Sequence, residues 1–174
     1  MVSATEQRRF AGVVLLVLII DILTKLAAEA WLPRYMGVSV IGDFFQLRLV
    51  YNPGAAFGIH VGEHSRWVFM TLSTAALFIL ASMLKTTQPG DRVRLYSLAL
   101  IFAGAAGNLI DRIRSARGVV DFLDFTFGSY HFPTFNIADT AVTTGACLLA
   151  ISLWNEGAQP AAVPAPVETT TRET

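Results

Sequence analysis

Two aspartates, Asp121 in Gly118-Val-Val-Asp-Phe122 and Asp139 in Phe135-Asn-Ile-Ala-Asp-Thr140, are the residues of this chain best suited to chemistry. Asp139 stands near the start of an apolar run that ends about Trp154. An ionisable group kept at such a place is costly and points to function. Two carboxylates that meet across one cleft can share a proton and activate water. Asp124 competes with Asp121 for this role. Three apart on a strand, the two point to opposite faces, and pattern alone does not choose between them. Other polar residues fall in register with the aspartates. Asn108 and Arg112 are four apart, hence on one helix face. Asn136 precedes Asp139 by three residues, and Asn52 closes a strand-like segment. Together with Asp121 these residues can line a polar cleft.

Each of these has a plainer reading. Asp111 and Arg112 read equally well as interfacial charges ending a helix. Asn52-Pro53-Gly54 is a strong turn signal. Asp21 and Lys25, spaced i and i+4, read as a structural ion pair near the outer end of a first helix.

The elements that must position these residues are long and apolar. Of the 174 residues 53% are hydrophobic and 15% charged, where a soluble domain carries roughly 25% charged residues. Four stretches approach the ~20 residues needed to cross a bilayer. Phe10 to Leu32 is interrupted only by Asp21, Lys25 and Glu29, and Trp67 to Leu84 carries no charge. Leu95 to Ile110 is uncharged between Arg94 and Asp111, and Ile137 to Trp154 contains only Asp139. Arg8-Arg9, the following apolar core and the small residues around Glu29 also resemble a cleavable secretory signal. The amphipathic continuation to Trp31 makes a span with an interfacial anchor the better reading.

The expected fold is therefore a membrane all-α protein with a small β element: four transmembrane helices under a strand-rich extracytoplasmic cap. The loop 33–66 alternates Phe45, Leu47, Leu49 and Tyr51 with Gln46 and Arg48, the period of a half-buried strand. The loop 111–133 is strand-like through Val119, Val120, Phe122 and Phe125, and both loops fall on one side of the membrane, where they can pair. Residues 1–156 are expected to form one domain and 157–174 a disordered cytoplasmic tail rich in Pro, Ala and Thr. Arg8 and Arg9 favour cytoplasmic termini, although the other basic residues do not decide the orientation. Within the third span, Ala103-Gly-Ala-Ala-Gly107 lets neighbouring helices approach closely.

Net charge is formally zero, which argues against a nucleic-acid surface. His60, His64 and His131 are too scattered for a metal site. The single cysteine, Cys147, lies in an apolar run, excludes an intrachain disulfide and is expected to be buried packing.

Five ordered segments carry a family resemblance: Asp21-Ile-Leu-Thr-Lys25, Tyr51-Asn-Pro-Gly-Ala-Ala-Phe57, Gly104-Ala-Ala-Gly-Asn-Leu-Ile-Asp-Arg112, Gly118-Val-Val-Asp-Phe122 and Phe135-Asn-Ile-Ala-Asp139. With these the chain resembles the bacterial lipoprotein signal peptidases (signal peptidase II), integral-membrane aspartic proteases. The resemblance implies that Asp121 and Asp139 are the catalytic pair. It also places Asn52, Gly54, Asn108, Arg112 and Asn136 among the substrate-binding or supporting residues, with Asp21, Lys25 and Asp111 as further motif positions. Ala103 and Ala106 stand where a glycine and a larger apolar residue are expected, and Thr140 where a serine is more usual. The implied reaction removes the signal peptide from diacylglyceryl-modified prolipoproteins on the amino side of the lipidated cysteine. It needs no metal or other cofactor. The implied setting is the bacterial inner membrane, in contact with membrane lipids, with the active site near the extracytoplasmic face and sensitivity to globomycin-type inhibitors. A monomer is expected because one chain contains the whole constellation. Readings from other classes are a small transporter or proton channel, for which intramembrane Asp and Lys are also a signature, and a non-catalytic assembly factor. A conduction path predicts polar residues through several spans, and the second span has no charge.

Overall fold

The computed structural model describes residues 2–54 and 62–157. The tail expected from residue 157 onward lies, apart from Gly157, outside the described residues, as do Ala55, Ala56 and Phe57 of the second motif. Helix α1 spans Ala4–Trp31 and starts six residues before the apolar run. The cause is local. Ser3 and Glu6 form a capping box, with Ser3 Oγ accepting from the Glu6 amide and Glu6 accepting from the Ser3 amide at 2.7 Å, which satisfies donors that a helix start leaves open. At the other end Pro33 follows the C-cap Leu32, where a proline cannot continue the helix.

Strands β1 (Val38–Ile41) and β2 (Phe45–Asn52) follow, then a single 3-10 turn, Gly62–His64, leading into helix α2, Ser65–Thr86. Helix α3 covers Arg92–Arg114 and opens on Asp91, whose carboxylate accepts from the Arg94 amide at 3.0 Å. Strands β3 (Val119–Phe127) and β4 (Tyr130–His131) precede helix α4, Ile137–Gly157. Among the described residues these four helices are long and apolar enough to cross a membrane. Large apolar side chains such as Leu16, Leu23, Phe78 and Ile151 face outward, the reverse of a soluble surface and the normal condition in lipid. Trp31, Trp67 and Trp154 stand exposed at helix ends, the depth that suits an amphipathic ring. Cys147 corrects an expectation: it is exposed on α4 rather than buried, because an apolar run in a membrane helix faces lipid as readily as protein.

The two strand-like loops do pair. The sheet is antiparallel in the order β1-β2-β3-β4, and β2 meets β3 with Asn52 opposite Val119 and Val50 opposite Asp121. Leu49, Val120 and Phe122 pack from the sheet onto Ala28 near the end of α1, with Leu32 and Ile137 alongside. One glycine decides how closely the two strand ends approach. Gly118 has φ +102°, and a Cβ there would collide with the carbonyl of Asn52.

Helix α3 is the centre of the bundle, packing against α1, α2 and α4, while α2 packs chiefly on α3. The small residues of α3 make this possible, as expected. A Cβ on Gly104 would strike the backbone carbonyl of Ala138 on α4, and one on Gly107 would come within 2.5 Å of Asp21 on α1. Because α2 leans on α3 without closing against α4, space is left between them below the sheet.

Candidate active site

That space is a cavity of about 590 Å³, walled by Phe69, Leu72 and Ala76 of α2, Ala105 of α3, and Val142 of α4. The β4–α4 connection closes it through Phe132, Pro133, Thr134 and Phe135. Its charged and amide side chains are Asn52, Asn108, Arg112, Asp121 and Asp139, with hydroxyls such as Ser73 and Thr143 along the otherwise apolar wall. The wall is thus largely apolar and the chemistry confined to one patch, an arrangement typical of sites that bind an apolar ligand in one orientation.

Each aspartate is fixed by its own element. Asp139 lies in the first turn of α4 and forms a reciprocal cap with Asn136. The Asp139 amide donates to Asn136 Oδ1 at 2.9 Å, and the Asn136 amide donates to Asp139 Oδ2 at 3.2 Å. A carboxylate is favoured there because the helix start offers unsatisfied N–H groups and the positive end of the dipole. The other oxygen of Asp139 accepts from Asn108 Nδ2 at 2.8 Å. Asp121 sits on β3 with only 2% of its surface exposed. It accepts from Asn136 Nδ2 at 2.7 Å and from Asn52 Nδ2 at 3.1 Å. Asn136, fully buried, therefore holds both aspartates, one by its side chain alone and the other through a side-chain and backbone exchange.

The strand alternation resolves the rivalry between Asp121 and Asp124. Asp121 faces the cavity. Asp124 turns away from it and is paired with Arg48 Nε and His131 Nε2, each at 3.0 Å. The surroundings of Asp121 push its carboxyl up to about 7, first through burial and second through the negative charge of Asp139. Hydrogen bonds from Asn52 and Asn136 oppose this without cancelling it. A carboxyl in that range can hold or release a proton near neutral pH.

Arg112, buried in α3, donates from Nη1 to the Asn108 carbonyl at 3.1 Å and from Nη2 to the Gly54 carbonyl at 2.7 Å. Gly54 in turn donates its amide to Asn52 Oδ1 at 3.0 Å, closing an Asx turn. Arg112 thereby anchors the turn that carries Asn52, and its guanidinium lies over Phe69, 5.6 Å from the ring centre.

Asp21 and Lys25 form the expected i,i+4 ion pair, buried rather than exposed, whereas Asp111 departs from its plainer reading. Lys25 is 1% exposed and donates to Asp21 at 2.8 Å and to Asn108 Oδ1 at 3.0 Å. Its distance to Asp111 is also 3.0 Å. Asp111 is buried rather than interfacial and also accepts from the Val120 amide at 3.2 Å, while Asp21 accepts from the Ala138 amide at 3.0 Å. One cluster thus joins α1, α3, β3 and α4.

Of the candidate site residues, Asn52, Asn108, Arg112, Asp121 and Asp139 line this cleft, Gly54 and Asn136 hold them, and Asp21, Lys25 and Asp111 stand behind them, whereas Asp124 lies elsewhere. The sequence reading missed the wall of α2 and also Arg66, which donates from Nε to the Arg112 carbonyl at 2.7 Å and from Nη2 to the Ile113 carbonyl at 3.2 Å. Arg66 so satisfies carbonyls left open at the end of α3. An arginine beside a long uncharged helix carries no pattern that would have revealed this partner.

A four-helix membrane bundle that presents two carboxylates, held by amides, to a largely apolar cavity has the layout of a membrane-embedded acid–base hydrolase. The model of the signal peptidase (SPase) II family matches residues 13–155. A lipoprotein signal peptidase of Burkholderia mallei (strain SAVP1) is 43% identical over 140 residues, covering 79% of this chain and 82% of that protein. A lipoprotein signal peptidase of Desulforapulum autotrophicum is 41% identical over 133 residues, 75% of this chain and 82% of that protein. A bacterial membrane enzyme solved by the in meso method at 2.3 Å resolution superposes with a TM-score of 0.81 at 30% identity, covering 89% of this chain and 93% of that one. A second, solved at 1.9 Å resolution, gives 0.74 at 32% identity, with 83% and 92% covered. The chain belongs to the signal peptidase II family and is a multi-pass bacterial membrane protease. The transporter reading has no support in these likenesses.

Proposed function

We propose that this protein removes signal peptides from diacylglyceryl-modified prolipoproteins, cleaving on the amino side of the lipidated cysteine, with Asp121 and Asp139 as its catalytic pair. The observation that carries the reading is that both aspartates line one cavity and are both held by Asn136. In the first step one carboxylate takes a proton from water as the water oxygen bonds to the scissile carbonyl carbon. The protonated partner gives its proton to the carbonyl oxygen. Collapse of the tetrahedral gem-diol breaks the C–N bond. The pair's proton goes to the leaving amine, and one hydroxyl of the gem-diol returns a proton to the pair as the carboxyl product forms, which restores the starting single proton. Burial and mutual repulsion support a shared proton, since two like charges at one site do not both ionise readily.

Arg112, Asn52, Asn108 and Asn136 keep the pair in place, and those that line the cavity can also meet the substrate backbone. The apolar wall of α2 and α4 suits a signal-peptide helix or acyl chains that remain in lipid while the polar patch is reached by water. In this reading both termini are cytoplasmic, the sheet caps the extracytoplasmic end, and one chain works as a monomer among membrane lipids. A globomycin-type inhibitor occupies the same cavity.

The test is cleavage of a lipid-modified proprotein by purified protein in detergent or bilayers. Wild type is expected to cleave and to be blocked by globomycin, while Asp121→Asn and Asp139→Asn are expected to be inactive. Full activity in either variant overturns the pair, and a folded wild type that never cleaves the substrate overturns the function.

A further inference from the structure

The ammonium of Lys25 lies wholly inside the protein and touches neither aspartate of the proposed pair. It donates to Asp21 and Asn108 and is ion-paired with Asp111 at 3.0 Å. The contact to Asn108 has a chemical consequence that an ion pair between helices does not. An ammonium donates and cannot accept, so the Asn108 oxygen must face Lys25. Asn136 Nδ2 donates to that same oxygen at 3.2 Å. With the oxygen so engaged, Asn108 Nδ2 points the other way, onto Asp139 Oδ1 at 2.8 Å.

Were the amide turned over, its NH₂ would oppose two donors and its oxygen would oppose a carboxylate. The charged donor is the stronger of the two holding it. Lys25 itself cannot drift, because Asp21 is tied to the α4 amide of Ala138 and Asp111 to the β3 amide of Val120. The absence of a side chain at Gly107 is part of the same arrangement, since a Cβ there would crowd Asp21.

We propose that Lys25 is a positioning residue for the reaction: through the amide of Asn108 it imposes a hydrogen-bond donor on Asp139 and fixes that carboxylate's orientation toward Asp121. This rests on the catalytic reading of Asp139. Asp21 and Asp111 serve as the holders of Lys25.

The test is a double-mutant cycle on kcat and KM for cleavage of a diacylglyceryl-modified prolipoprotein in detergent, using Lys25→Met, Asn108→Ala and the double variant, with activity referred to folded protein. Lys25→Met is expected to lower kcat about 10-fold to 100-fold, as loss of alignment does, with KM little changed. In the Asn108→Ala background the same change is expected to lower kcat by no more than about 3-fold, because interacting sites are not additive. If Lys25→Met does not fold, the charge-balanced Lys25→Met/Asp111→Asn variant is compared with Asp111→Asn, each with and without Asn108→Ala. A purely structural lysine predicts losses that multiply, or a kcat that stays at wild type once the protein folds, and either result overturns the proposal. Asp139→Asn is run alongside. Activity there removes the catalytic reading itself, whereas an inactive Asp139→Asn with a multiplicative cycle removes only the role of Lys25.

Discussion

Strand β3 carries two buried aspartates whose surroundings differ in kind. Asp124 is met by two basic side chains, Arg48 and His131, on the sheet face turned from the cavity. Asp121, three residues earlier, is met by the neutral amides of Asn52 and Asn136 and lies near a second carboxylate. A carboxylate matched by basic side chains serves to tie elements together. One matched by neutral donors and set near a like charge keeps a proton in play. The Lys25 cluster belongs to the first kind, and its contact with Asn108 joins it to the second.

The largest expected effect is on turnover. Asp121→Asn and Asp139→Asn should each lower kcat by at least ~10²–10⁴-fold, the range for losing a general acid or base, in the prolipoprotein cleavage assay. Asp124→Asn should stay within a few-fold of wild type. An inactive, well-folded Asp124→Asn would break the distinction between the two faces.

Next in size is the pH dependence. Asp121 is raised from 3.8 to about 7 by burial and by Asp139, so the folded state favours its protonated form. Its contribution to stability is then fully present below 3.8 and is lost as pH rises through 7. Unfolding measured across pH should show this decline, and Asp121→Asn should flatten it while abolishing activity. The kcat profile should fall above about pH 7 as the pair loses its shared proton. A profile flat to about pH 9 would argue against a proton held at Asp121.

Gly118→Ala should act through position rather than charge. At φ +102° and against the Asn52 carbonyl, alanine should cost about 1–3 kcal/mol, the range for a strained backbone residue. It should also displace Asn52 from Asp121, so activity per folded molecule should drop along with thermal stability. The smallest effect is expected on the far face of the sheet. Arg48 and His131 are about half exposed, so removing Arg48 should cost only about 0–1 kcal/mol, as for other exposed ion pairs, with cleavage unchanged.

Much of the architecture was legible in the residues. The uncharged runs around Trp67–Leu84 and Leu95–Ile110 mark spans because lipid excludes charge. The alternation through Phe45–Tyr51 marks a strand because a half-buried sheet has period two. The early start of α1 was not read: the apolar run begins at Phe10, and the capping box of Ser3 and Glu6 carries the helix back to Ala4. Less legible was the fate of Cys147, since period and hydropathy do not say whether an apolar side chain in a membrane meets protein or lipid. The cavity wall from Phe69 to Ala76 was hidden for the same reason.

What the sequence determined by itself is the set of elements, the direction each side chain takes from its own axis, and the five segments that mark the family. That much follows from local sterics and from the cost of charge in lipid. Tertiary structure alone decided which neighbour stands in each direction. It put Asp121 rather than Asp124 on the cavity, gave Asn136 to both aspartates, and set Lys25 behind Asn108. Those pairings join residues up to 117 positions apart, as between Asp21 and Ala138. They depend on how closely α1, α3 and α4 can approach, which is set by the space left at Gly104 and Gly107.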